Sequence, residues 1–186
     1  LIMPLSMCMG SWAQAVIFPQ KKQPGVAKIT QKSNSYQLAN KVLKASFINT
    51  GGKLYFNGCS ELGLQPDTEL FKVLLGDGST VAASKMKLED VKIVTLGEDS
   101  SAATASLRYA GKALEARFTY GDLSITWRAV LRDGSHYLRT EMDIKAARDL
   151  SMKGIVAMNY LVAKNSAYTA PEVVGNTRGA ILASNH

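Results

Sequence analysis

Between Ala103 and Ile144 the chain alternates apolar and polar residues through four runs, broken at Ala110-Gly111, Gly121-Asp122 and Asp133-Gly134. Ala103, Ala105, Leu107 and Tyr109 share one parity in the first run, as do Leu114, Ala116, Phe118 and Tyr120 in the second. Leu123, Ile125, Trp127, Ala129 and Leu131 continue the series, and Leu138, Thr140, Met142 and Ile144 complete it. The opposite parity carries Arg108, Glu115, Arg117, Arg128, Arg139, Glu141 and Asp143. Successive side chains of a strand point to opposite faces, so this period predicts strands with one buried and one wet side. A slip of one residue would bury the charged set, which pins the register. The expected fold is therefore all-β, an antiparallel meander forming part of a β-sandwich.

The rest of the chain is consistent with that class. Val42 to Ile48 alternates Leu43, Ala45 and Phe47, and Asn49-Thr50-Gly51-Gly52 is a hairpin signal leading into Lys53–Asn57. Residues 59–67 have loop composition. Residues 69–75 and 80–84 read as strands joined by Gly76-Asp77-Gly78-Ser79, and strand character resumes over 91–96. Between them KMKLED (85–90) is expected to form one helical turn or a polar connection. Residues 152–163 are nearly continuous in apolar character, and their β-branched content favours a strand buried on both faces. Two more strand pieces are expected at 172–175 and 180–184.

Residues 1–15 carry no charge and end in Ala13-Gln14-Ala15, the pattern of an apolar signal segment with a small-x-small cleavage site. The expected organisation is a partial signal peptide over 1–15, an arm or edge strand over 16–35, and a β-sandwich domain over 36–186. The last of these stops at Asn185-His186 directly after an alternating run, so it is expected to be incomplete. A 15-residue run is shorter than the roughly 20 residues a helix needs to cross a bilayer, so no transmembrane segment is expected. Met7 before Cys8 does not match the small residue that precedes a lipid-modified cysteine. After cleavage Cys59 would be the one cysteine, which excludes an intrachain disulfide. Secretion without disulfides suits a bacterial envelope protein, periplasmic or at the outer cell surface.

Lys and Arg number 22 against 15 Asp and Glu, a net charge of +7. The cations are spread along the chain, with no basic helix or aromatic-interleaved stripe, so a nucleic-acid partner is not expected. The glycines form hairpin dipeptides and not a phosphate cradle. Two cysteines and two histidines offer no metal cluster, and no cofactor is expected. Asp133, Ser135 and His136 lie too close in sequence to converge as a triad, and belong to a hairpin tip. Glu115, Glu141, Asp143 and Asp149 are the carboxylates available for glycoside chemistry, but cross-strand pairing with arginine explains them more simply. Trp127 is in phase with the core, whereas Tyr137 is out of phase and exposed. Arg178, within Asn176-Thr177-Arg178-Gly179, sits in a turn where it can bind a carboxylate or sugar hydroxyl, or pair with Glu172.

The segments ITWRAVLRDGSHYLRTEMDI (125–144) and PEVVGNTRGAILAS (171–184) resemble the N-terminal β-supersandwich, of galactose-mutarotase-like type, found in large secreted bacterial glycoside hydrolases. The similarity is to domains that precede an endo-α-N-acetylgalactosaminidase-like or α-galactosidase-like barrel, some labelled "enterotoxin". It covers about residues 36–186 and includes none of the family's catalytic residues. The resemblance implies a non-catalytic domain that supports or shapes the glycan site of a downstream catalytic barrel on the same polypeptide. It also allows direct contact with a glycan or polysaccharide, through Arg128, His136, Tyr137, Arg139, Glu141 and Arg178. Two alternatives stand beside it. One is a self-contained mutarotase-like or hydrolase enzyme using Glu141 and His136. The other is a surface adhesion or assembly module without sugar chemistry.

Overall fold

A computed structural model describes residues 22–59 and 68–157. The expected strands at 172–175 and 180–184, residue 178, the segment 1–15 and most of the 59–67 loop lie outside the described residues, as does the 158–163 part of the 152–163 run. The described residues form eleven strands: β1 (Lys28–Lys32), β2 (Ser35–Ala39), β3 (Lys44–Thr50), β4 (Lys53–Cys59), β5 (Lys72–Leu75), β6 (Thr80–Ala82), β7 (Lys87–Leu96), β8 (Gly111–Tyr120), β9 (Leu123–Arg132), β10 (Arg139–Ala146) and β11 (Met152–Val156). They assemble into three antiparallel sheets ordered β1-β2-β3-β4, β10-β9-β8-β7 and β11-β5-β6. The protein is an all-β sandwich.

The first sheet is a meander of hairpins. Thr50 pairs with Lys53 across a two-residue turn, where Gly51 and Gly52 have φ of 59° and 71°. Both values lie in the left-handed region that the tight hairpin turn requires and that other residues resist. Leu38, Ala45, Phe47, Leu54 and Phe56 from this sheet are buried. The β7–β10 sheet meets them with Leu114, Ala116, Phe118, Ile125 and Trp127, in one continuous core. Trp127 is 1% exposed, and its ring meets Phe47 edge-on across the two sheets at 5.6 Å. Phe71 and Val73 bring the small third sheet into the same core, Phe71 standing edge-to-face on Phe118 at 5.3 Å. Edge-on rings at these distances are the favoured aromatic geometry.

The register of β9 is fixed on both sides. Ala116 faces Trp127, which faces Met142, and Phe118 faces Ile125, which faces Ile144. The expected inward set holds: Leu123, Ile125 and Trp127 are buried, and Leu138, Met142 and Ile144 pack partly buried against the core.

Three sequence expectations are corrected. The described part of the 152–163 run is the strand β11, but it stands at a sheet edge with Met152 and Ile155 exposed and is not buried on both faces. The run Ala103–Tyr109 is not a strand. It is a loop containing a 3-10 turn over Ala105–Leu107, with Ala103 exposed and Tyr109 58% exposed. Asp99 accepts hydrogen bonds from the Ser101 N–H at 3.0 Å and from its hydroxyl, and Arg108 Nε donates to the Ala102 carbonyl at 2.8 Å. Such local bonds compete with ladder formation. The edge of β8 that the run would occupy is taken by β7.

The KMKLED segment is divided: Lys85 ends a 3-10 turn over Ala83–Lys85, and Lys87–Asp90 open strand β7, where a single turn or a polar connection was expected. Leu88 pairs with Phe118 and Asp90 with Arg117, so Glu89 is an extra residue in a bulge. The bulge puts Leu88 and Val91 on one face although they are three positions apart, a spacing that imitates a helix.

Trp127→Ala would remove the largest fully buried side chain at the meeting of two sheets. We expect a loss of about 3–5 kcal/mol in stability, read by urea denaturation, with an unchanged m-value if the sandwich persists. A loss under about 1 kcal/mol would mean that this contact does not hold the sheets together.

Candidate functional site

The outer face of the β7–β10 sheet grades from charged to apolar along β9. Register aligns Lys92, Glu115, Arg128 and Glu141 in one row, alternating in sign across four strands. Glu115 accepts from Lys92 Nζ at 2.8 Å and from Arg128 Nε at 2.5 Å. Burial alone would raise the Glu115 carboxyl, but hydrogen bonds from Lys92 and Arg128, together with their charges, outweigh it and hold the group below its ordinary value. Glu141 is engaged by Arg139 Nη2 two residues back on the same strand.

The next row is Val94, Ala113, Val130 and Arg139. Ala113 and Val130 are buried although they face away from the core. The reason is the 97–110 connection, which returns over this end of the sheet. Arg132 holds it there: its Nη1 donates to the Tyr109 carbonyl at 2.6 Å and to the Gly97 carbonyl at 3.2 Å. Gly111 lies opposite Arg132 in the ladder, and a Cβ there would sit 2.5 Å from the Leu131 carbonyl oxygen and 3.1 Å from Arg132 Cδ. Absence of that carbon is what lets β8 approach the β9 backbone so closely at Arg132.

Where this connection meets the β9–β10 turn there is a cleft of about 140 Å³, smaller than the roughly 300 Å³ at which drug-sized sites begin. Val130 is at its base, Arg132, His136 and Arg139 are among its polar groups, and Tyr109 and Tyr137 flank it, with Tyr137 54% exposed. Ser106, Ser135 and Asp133 complete the polar lining.

The turn is tied to the other sheet at three points. Asp133 Oδ1 accepts from the Ala27 N–H at 2.7 Å, the Gly134 N–H donates to the Gly25 carbonyl at 2.9 Å, and Asn40 Nδ2 donates to the Ser135 carbonyl at 2.7 Å. Asn40 also organises its own loop, its Oδ1 accepting from the N–H groups of Val42 and Leu43, each at 2.9 Å.

Of the sugar-contact residues expected from sequence, His136, Tyr137 and Arg139 converge on the cleft. Arg128 and Glu141 stand one row away on the charged face, with Glu141 joined to the cleft through Arg139. Arg178 lies outside the described residues. Sequence reasoning missed Arg132, Tyr109 and Ser106. One signal was available: Ala129-Val130-Leu131 breaks the alternation, and an apolar residue on a wet face implies a cover.

No protein-family model matches the chain, and no curated protein or solved structure shows significant similarity to it. Among the described residues no helix is long and apolar enough to cross a membrane.

Two measurements test this geometry. The lowered pKa of Glu115 contributes stability above its unfolded value near 4.5, and that contribution disappears as pH falls through the folded value. Glu115→Gln should therefore cost about 1 kcal/mol at pH 7, the difference shrinking toward zero as pH falls below 4.5 and through the folded value; a pH-independent difference would contradict the assignment. Asn40→Ala removes three hydrogen bonds and should cost about 2 kcal/mol while raising amide exchange over 133–138. Unchanged exchange there would show that the tie does not order the turn.

Proposed function

We propose that this chain is the non-catalytic N-terminal β-sandwich domain of a secreted carbohydrate-active protein, and that it binds a glycan at the cleft between the 97–110 connection and the β9–β10 turn. The observation that carries the reading is the pairing of two exposed tyrosines with a ring of polar side chains over an apolar base. Sugars present apolar C–H faces and polar edges, so aromatic surfaces beside hydrogen-bonding groups suit them. The resemblance of segment 125–144 to supersandwich domains of large glycoside hydrolases points to the same ligand class, because it spans the turn that carries His136, Tyr137 and Arg139.

Binding is favoured over hydrolysis by the disposition of acids. Glycoside cleavage needs two carboxyl groups facing one another across the scissile bond. Asp133 is the carboxylate lining the cleft, and one of its oxygens is already committed to the Ala27 N–H. Glu141, which a mutarotase-like mechanism would use with His136, is committed to Arg139. In the proposed setting the domain packs beside a downstream barrel, outside the cell or in the periplasm, and the cleft extends or shapes that barrel's glycan site.

Calorimetric titration of the chain with a panel of mono- and oligosaccharides is the direct test. We expect saturable binding that Tyr137→Ala and Tyr109→Ala each weaken at least tenfold without changing the thermal midpoint appreciably. Absence of binding across the panel would reduce the domain to a structural role.

A further inference from the structure

The charge of the cleft narrows the glycans that suit it, an inference that rests on the glycan reading above. Two arginines, Arg132 and Arg139, line one small space. Arg132 makes no ion pair among the described residues: its Nη1 is bound by two uncharged backbone carbonyls, those of Tyr109 and Gly97. Arg139 gives Nη2 to Glu141. In both residues Nε is shielded from solvent and has no acceptor among the described residues. A buried donor without an acceptor is uncommon in a folded protein, and a functional role is one of its ordinary explanations.

Three acids stand nearby. Asp133 lines the cleft with one oxygen accepting from the Ala27 N–H, Asp99 accepts from Ser101 and also feels the Arg132 charge, and Glu141 is held by Arg139. The cleft combines two guanidinium groups and one carboxylate, that of Asp133, with an apolar base, Val130, which lowers the local dielectric and strengthens the attraction of each guanidinium for an anion. A guanidinium presents parallel donors in a planar fork, and the group that fits this fork best among common sugar substituents is a carboxylate.

We propose that the cleft selects acidic sugars: a uronic-acid-type carboxylate is taken between Arg132 and Arg139 while the ring lies against Tyr109 and Tyr137. Arg139 is the adjustable member, since it must be shared between Glu141 and the incoming carboxylate.

The test is calorimetric titration of the chain at low ionic strength with galacturonate, galactose and acetate. Galacturonate should bind at least tenfold tighter than galactose and weaken as sodium chloride is added. Arg139→Gln should lower galacturonate affinity at least tenfold. Glu141→Gln, which releases Arg139 from its partner, should raise it several-fold, an effect that a merely structural Arg139 would not produce. Arg132→Gln should also abolish the preference, but it risks freeing the 97–110 connection, so the two variants at 139 and 141 carry the decision. Equal affinity for galacturonate and galactose would overturn the acid selectivity and leave the glycan reading standing. Acetate binding as tightly as galacturonate would retain the carboxylate site and overturn the sugar. Failure of all three ligands to bind would overturn both.

Discussion

The packing of β9 is the constraint on which the remaining structure depends. Its inner residues enter the core between β8 and β10, with Trp127 against Phe47 of the opposing sheet. A strand paired on both sides and anchored by a buried ring cannot slide without exposing the ring and burying charge. Because side chains alternate, locking the inner parity also locks the outer one. Arg128, Val130 and Arg132 are therefore placed by the same packing that buries Ile125, Trp127 and Ala129. The base of the cleft is the back of the core strand.

Legibility in the sequence followed the range of the interaction concerned. The three strands β8, β9 and β10 and the Gly51-Gly52 turn were readable because period and turn chemistry are local. The second part of β7, over 91–96, was also readable, but its first part was obscured by the bulge at Glu89, which shifts the apolar spacing from two to three. The 103–109 run was misread because Ala103 and Ala105 satisfy an alternation formally while offering little apolar area to bury, and Asp99 and Thr104 draw the backbone into local turns. Tyr137 was recognisable as exposed, being out of phase with Leu138. Arg132 and Tyr109 were not recognisable as a pair, because the contact joining them spans 23 positions and depends on Gly111 having no side chain.

The charged row beside the cleft has a different character from the cleft itself. Lys92 and Arg128 share one carboxylate, that of Glu115, at the partly wet face, and pairs of that kind contribute modestly to stability. Arg139 stands at the boundary, joined to Glu141 on one side and lining the cleft on the other, while Arg132 binds only carbonyls. Charge left unbalanced beside apolar surface is electrostatically costly, and such cost is commonly tolerated where a ligand relieves it.

Rigidity completes the argument. A turn between two strands would ordinarily be among the more mobile parts of a sheet. Here it is held to the facing sheet through Ala27, Gly25 and Asn40, so His136 and Tyr137 rest on a turn braced from both layers. The opposite wall is held by Arg132, whose own strand is fixed by the core. Groups positioned before a ligand arrives lose less freedom when it binds, which favours affinity from a small contact area. That matters in a space of about 140 Å³, where few contacts are available and each must be made without reorganisation. The long, partly exposed Arg139 side chain is the natural exception, and its exchange between Glu141 and a bound group would adjust the cleft while its walls stay in place.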